Sequence, residues 1–213
     1  MNPAQIISAA LLTLLLLTPA DAAPLRVACY GDSILANVHP TDPCTLLQAL
    51  RPDIAVIQWS QGGLSTQAGI DEYDAFERTH GSFSYVITNL AINDPAQMGE
   101  TDPKATAQRI RTLAGKIRDH GAREIILTPT PATTTATTPG GPVDLVAFTR
   151  DVRMWLYRLN GGGTAYDVYD MRDIFTVPGW QRCTAPTDRT HPVEACRAEI
   201  AAYLATVVPR AQP

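Results

Sequence analysis

Four short blocks of this 213-residue chain carry residue types that together suit nucleophilic attack on an acyl group. Gly31-Asp32-Ser33-Ile34 directly follows an apolar run. That places the Ser33 hydroxyl at the carboxyl end of a first strand, where open α/β sheets gather their ligands. Read alone, such a turn is equally an Asx or N-capping turn. Near the other end of the chain, Asp188-Arg189-Thr190-His191-Pro192 precedes a helical stretch. An acid three residues before a histidine can double back onto one ring nitrogen and leave the other facing outward as a base. Acyl transfer also needs donors aimed at the oxyanion that forms. Gln61-Gly62-Gly63-Leu64-Ser65 offers a backbone N–H that can approach closely, and Ala91-Ile92-Asn93-Asp94-Pro95 offers the Asn93 amide.

These blocks need a scaffold that aligns several loops, and the hydrophobic pattern supplies one. Short apolar runs alternate with longer amphipathic ones from Leu25 onward, as in a parallel sheet covered by helices on both faces. Strands are expected at Leu25–Tyr30, Ile54–Trp59, Ser84–Leu90, Glu124–Thr128 and Ala165–Tyr169. Helices are expected over Pro103–His120, Pro142–Leu159 and Pro192–Val207. The first has Asp102 as N-cap, Pro103 in its opening turn and Gly121 as its stop. The Thr-rich stretch 129–141 reads as a low-complexity loop, either filler or part of a binding rim. Gly161-Gly162-Gly163 reads as a helix stop, Trp59 as core, and Trp180 as either core or a sugar contact.

In this order and spacing the blocks resemble those of the GDSL, or SGNH, hydrolase family, named for its Ser, Gly, Asn and His blocks. The resemblance spans residues 31–192, and Val168-Tyr169-Asp170-Met171 is similar to the strand before the family's last loop. It implies a three-layer α/β/α sandwich around a parallel, flavodoxin-like five-stranded sheet, and a serine ester hydrolase that needs no cofactor or metal. On this resemblance Ser33 is the nucleophile, His191 the general base and then acid, and Asp188 the residue that orients it. The oxyanion hole would combine the Ser33 and Gly63 N–H groups with the Asn93 side chain; Gly62 competes with Gly63 for the donor role. Asp32 is expected to form the turn rather than to catalyse. One departure is Ala91, where the family usually has glycine.

Composition narrows the alternatives. With 45% hydrophobic and 18% charged residues and a net charge of −4, the chain is an ordinary globule with no basic surface for nucleic acid. There is no Gly-x-Ser-x-Gly elbow, no Walker sequence and no dinucleotide fingerprint. Residues 1–22 read as a signal peptide cleaved after Ala22, with an apolar run from Ile6 to Leu17 short of a bilayer span; the alternative is an uncleaved anchor, and both place the domain outside the cytoplasm. Residues 23–213 then form one exported catalytic domain, periplasmic or secreted, expected to be a monomer without a membrane span. The four cysteines allow three pairings. A bridge is expected between Cys183 and Cys196, which flank a polar loop before the last helix, with Cys29 and Cys44 paired or free. The four histidines are too scattered for two to share a helical turn, which gives a metal site little support.

The expected substrates are small-molecule or glycan esters carrying short O-acyl groups, polysaccharide-linked acetyl among them. Two other readings stand beside hydrolysis. The same acyl-enzyme could pass its acyl group to a sugar hydroxyl, as an exopolysaccharide O-acyltransferase would, or the fold could serve as a non-catalytic glycan-binding module.

Overall fold

A computed structural model describes residues 24–36, 40–130, 135–138, 140–160, 166–174, 183 and 190–210. Five parallel strands form the central sheet: β1 (Leu25–Gly31), β2 (Ile54–Ser60), β3 (Tyr85–Asn89), β4 (Arg123–Leu127) and, later in the chain, the strand Tyr166–Tyr169. A small antiparallel hairpin, β5 (Thr135–Thr138) and β6 (Gly141–Asp144), intervenes, so the fifth sheet strand is β7. The spatial order is β2-β1-β3-β4-β7, which is the flavodoxin-like order. The helices are α1 (Pro43–Leu50), α2 (Thr66–His80), α3 (Asp94–Met98), α4 (Pro103–Asp119), α5 (Leu145–Leu159), α6 (Met171–Ile174) and α7 (Glu194–Val207).

Because side chains alternate along a strand, the sheet buries two sets of residues. Val27, Cys29, Ile87, Ile125 and Leu127 face α1 and α7 and pack with Leu47, Ile200 and Leu204. On the opposite face Ala28, Tyr30 and Val86 pack with Tyr73, Phe76, Leu113 and Ile117, while Ile126 packs with Ile110, Phe148, Val152 and Leu156. α4 therefore serves two clusters with one stripe. Its start is set by Asp102, which accepts the Lys104 N–H, and its end by Gly121 at φ 85°. Trp59 is half-buried and stacks on Tyr30 with ring centroids 4.4 Å apart.

The sheet strands lie where periodicity puts them, each within a residue or so at its described ends. Helix α5 begins later than expected: Pro142 lies in β6, and Asp144 caps the helix by accepting from Val146 and Ala147 N–H. The Thr-rich stretch also contains β5, so it is only partly the loop expected. Helices α1 and α2 were not expected from the pattern. α1 is only eight residues long, and α2 buries only Thr66, Gly69, Tyr73 and Phe76 among polar neighbours. Ala165, Gly161-Gly162-Gly163 and Trp180 lie outside the described residues.

Disulfides tie Cys29 of β1 to Cys44 of α1, and Cys183 to Cys196 of α7. Both pairs are buried. Among the described residues no helix is long and apolar enough to cross a membrane, and no three His, Cys, Asp or Glu side chains gather as a cation site.

Two features of this framework carry energetic consequences. Glu124 is fully buried on β4; one of its oxygens accepts from the Thr88 hydroxyl at 2.8 Å, and the other has no partner among the described residues. Burial pushes its pKa up to about 8, against a smaller opposing effect of the Thr88 bond. The folded state therefore holds this proton more tightly than the unfolded chain, and the stability associated with it is lost as pH rises from about 4.5 toward about 8. Glu124→Gln should lack that loss, so the melting temperature of the variant minus that of wild type should climb across this window and level off above it. A pH-independent difference in thermal melts would contradict this account. Ala91, after β3, is fully buried at φ 117°, a region that strains any residue with a Cβ. Replacing it by glycine releases roughly 1–3 kcal/mol of strain, which offsets about 0.8 kcal/mol for the lost methyl and about 0.4–1 kcal/mol of added chain entropy. Ala91→Gly should thus stay within about 1 kcal/mol of wild type in denaturant unfolding, whereas Ala107→Gly, buried in α4, should cost about 2 kcal/mol.

Candidate active site

Strand β1 lies between β2 and β3, with Gly31 in register with Ser60 on one side and Asn89 on the other. The loops that leave the carboxyl ends of these three strands are consequently neighbours, with the Ser33 loop in the middle. Gly31 is required here: a Cβ would lie 2.8 Å from the Asn89 carbonyl oxygen. The turn that follows is closed by its own backbone and side chain. Asp32 N–H donates to the Asn89 carbonyl at 3.1 Å, and Asp32 Oδ1 accepts the Ile34 N–H at 2.9 Å. Asp32 is thus the turn-former its position suggests. The Gln58 side-chain amide donates to the Leu35 carbonyl and braces the turn from β2.

Asp32 is fully buried, and its second oxygen has no partner among the described residues. Burial pushes its pKa up to about 7, the negative charge of Asp94 adds to the rise, and the Ile34 N–H opposes it.

Ser33 is half-buried on this turn, and its Oγ lies 2.7 Å from Nε2 of His191, a residue 158 positions away. His191 precedes α7 in a segment anchored by the Cys183–Cys196 disulfide and by the Val193 N–H, which donates to the Cys183 carbonyl at 2.7 Å. With the ring proton on Nδ1, Nε2 can accept the Ser33 hydroxyl proton, as activation of a serine nucleophile requires. Asp188 lies outside the described residues.

The two donor blocks meet each other beside this turn. Gln61 N–H donates to the Gly31 carbonyl at 2.9 Å, and Leu64 N–H closes a turn on the Gln61 carbonyl at 3.2 Å. Within that turn Gly63 takes φ 80°, a conformation that favours glycine and sets it apart from Gly62. From the next loop, the Asn93 side-chain amide donates to the Leu64 carbonyl at 3.2 Å. One N–H of the Asn93 amide is thereby used to hold the neighbouring loop, and an amide carries a second.

Below these donors lies a network that the sequence blocks did not single out. The Asp94 carboxylate, fully buried, accepts from Thr66 N–H at 2.7 Å, Thr66 Oγ1 at 2.6 Å, Thr106 Oγ1 at 2.9 Å and Arg109 Nη2 at 3.2 Å. Arg109 also reaches Glu100 at 2.9 Å. Asp94 adjoins Asn93, and Thr106 and Arg109 share one turn of α4, but no sequence spacing links that pair to Thr66 or to Asp94. On the far side of the sheet's carboxyl edge, Asp170 after β7 pairs with Arg153 of α5 at 3.2 Å and Arg172 of α6 at 2.8 Å.

No protein-family model matches the sequence, and no curated protein does either. Solved structures do. The structure of a carbohydrate acetylesterase family member from Sinorhizobium meliloti is 20% identical, covers 86% of this chain and 97% of its own, and superposes with a TM-score of 0.70. The aryl esterase of M. smegmatis gives 18% identity, 86% and 98% coverage and a TM-score of 0.70. A member of the lipolytic protein G-D-S-L family from Veillonella parvula gives 17% identity, the same coverages and a TM-score of 0.68. Combined with the flavodoxin-like strand order, these likenesses show that the chain has the three-layer α/β/α fold of the SGNH hydrolases.

Proposed function

We propose that this chain is a serine ester hydrolase that works through an acyl-enzyme. The observation that carries the reading is the 2.7 Å hydrogen bond between Ser33 Oγ and His191 Nε2, at the carboxyl edge of a fold shared with esterases. In the first half-reaction Ser33 Oγ attacks the acyl carbon, and His191 takes the hydroxyl proton. His191 then returns that proton to the departing alkoxide, which leaves as the alcohol. In the second half-reaction His191 takes a proton from water as the water oxygen attacks the acyl carbon, then returns that proton to Ser33 Oγ as the acyl–Oγ bond breaks and the carboxylic acid departs. Asp188 orients the imidazole and supports its charge. The oxyanion is held by the Ser33 and Gly63 N–H groups and by the Asn93 amide.

Short acyl esters, among them acetyl groups on polysaccharide, are the substrate class we favour. The named activity of the S. meliloti neighbour supports it. Export agrees with two buried disulfides, which persist where thiols are oxidised. We assign residues 1–22 as the signal peptide, and the exported protein should begin at Ala23 when its amino terminus is sequenced.

Hydrolysis of p-nitrophenyl acetate and longer acyl homologues tests the chemistry. Ser33→Ala should lower kcat by at least about 10³-fold, and Asn93→Ala by about 10²–10³-fold, with folding intact. Equal rates for wild type and Ser33→Ala would remove the nucleophile and the proposal with it.

A further inference from the structure

We propose that Asp94 is a positioning residue for the oxyanion site, acting through Asn93 and Gly63 rather than on the substrate. The inference rests on the ester-hydrolase reading above. The two donors in question sit on different βα loops, one after β2 and one after β3. Nothing in sheet geometry alone sets their spacing to the few tenths of an ångström that a shared oxyanion requires.

Two described links cross between these loops. One is the Asn93 amide on the Leu64 carbonyl, at 3.2 Å. The other is the Asp94 carboxylate, whose Oδ1 takes the Thr66 N–H at 2.7 Å and whose Oδ2 takes the Thr66 hydroxyl at 2.6 Å. Thr66 opens α2 immediately after the N-cap Ser65, three positions beyond Gly63. Asp94 opens α3 immediately after Asn93. A single carboxylate thus clamps the residue that follows one donor to the helix that follows the other.

The clamp is itself held. Thr106 of α4 donates its hydroxyl to Oδ2 at 2.9 Å, and Arg109 approaches the same oxygen at 3.2 Å while also bonding Thr66 Oγ1 at 2.8 Å and Glu100 at 2.9 Å. Charge-assisted hydrogen bonds of this kind are shorter and stronger than neutral ones, and full burial removes competing water. Helix α4 thereby serves as the rigid body against which both loops are referenced. Asp94 makes no described bond to Ser33 and acts on its turn only through its charge on Asp32, so a double variant with Asn93→Ala separates the route through the donors from the route through that turn.

The test is a kinetic cycle on p-nitrophenyl acetate with wild type, Asp94→Asn, Asn93→Ala and the double variant, each checked by thermal melting. Asp94→Asn keeps the shape and removes the charge. It should lower kcat by about 10–100-fold with KM changed less than about threefold, because the loss falls on the transition state. In the Asn93→Ala background the same change should cost less than about threefold, since what Asp94 sets is the spacing between two donors and one of them is gone. Thr106→Val should lower kcat by about 3–10-fold and Thr106→Ser should restore it, so the test holds even if Asp94→Asn does not fold. Folded Asp94→Asn and Thr106→Val proteins with wild-type kcat would overturn the positioning role alone. So would a full loss from Asp94→Asn on top of Asn93→Ala. Wild type as slow as Ser33→Ala would instead overturn the hydrolase reading, and the positioning role with it.

Discussion

A parallel sheet delivers every strand to the same edge, and in this protein the middle position of β1 decides what that edge can hold. Ser33 leaves β1 between the loops of β2 and β3, so strand order alone makes its hydroxyl a neighbour of the Gly63 and Asn93 loops. Only His191 must be carried in from elsewhere, by the segment before α7. The constraint is tight at Gly31, where the backbone of β3 leaves no room for a side chain. It is tight again at Ala91, where the chain turns under strain to present Asn93.

The charges beneath the edge follow a common logic. Moving a carboxylate out of water is costly unless cations and hydrogen-bond donors replace the solvent. Asp94 has a threonine N–H, two hydroxyls and a guanidinium; Asp170 has two arginines. Asp32 has a single backbone donor and Glu124 a single hydroxyl, and burial raises the pKa of both. The fully served acid sits where two loops must be joined, and Asp32 sits in a turn that its own backbone closes.

Much of this was legible in the chain because it depends on local pattern. Strand positions follow from apolar runs, helix starts from Asp102, and the four blocks from residue order. The Asx turn at Asp32 and the left-handed turn at Gly63 are likewise local. What escaped was set by tertiary packing. Helix α2 shows too thin an apolar stripe to be seen before the sheet supplies Tyr30 and Val86 as partners. The β5–β6 hairpin is written in threonine, glycine and proline, a composition shared with filler. The Asp94 network joins residues 66, 94, 106 and 109, whose proximity exists only once three helices have packed.

The two disulfides are placed so that each encloses one member of the Ser33–His191 hydrogen-bonded pair: Cys29 and Cys44 flank Ser33, and Cys183 and Cys196 flank His191. A short covalent loop removes chain entropy from the unfolded state, so the segment inside it need not provide that stability through its own hydrophobic contacts. Such a segment is released from the usual demand on loop composition. The stretch between Cys183 and Cys196 is accordingly rich in Thr and Pro, whereas that between Cys29 and Cys44 still places Tyr30, Ile34 and Leu35 in the core. The bracket from Cys183 to Cys196 can therefore change its residue types while the scaffold stays as it is.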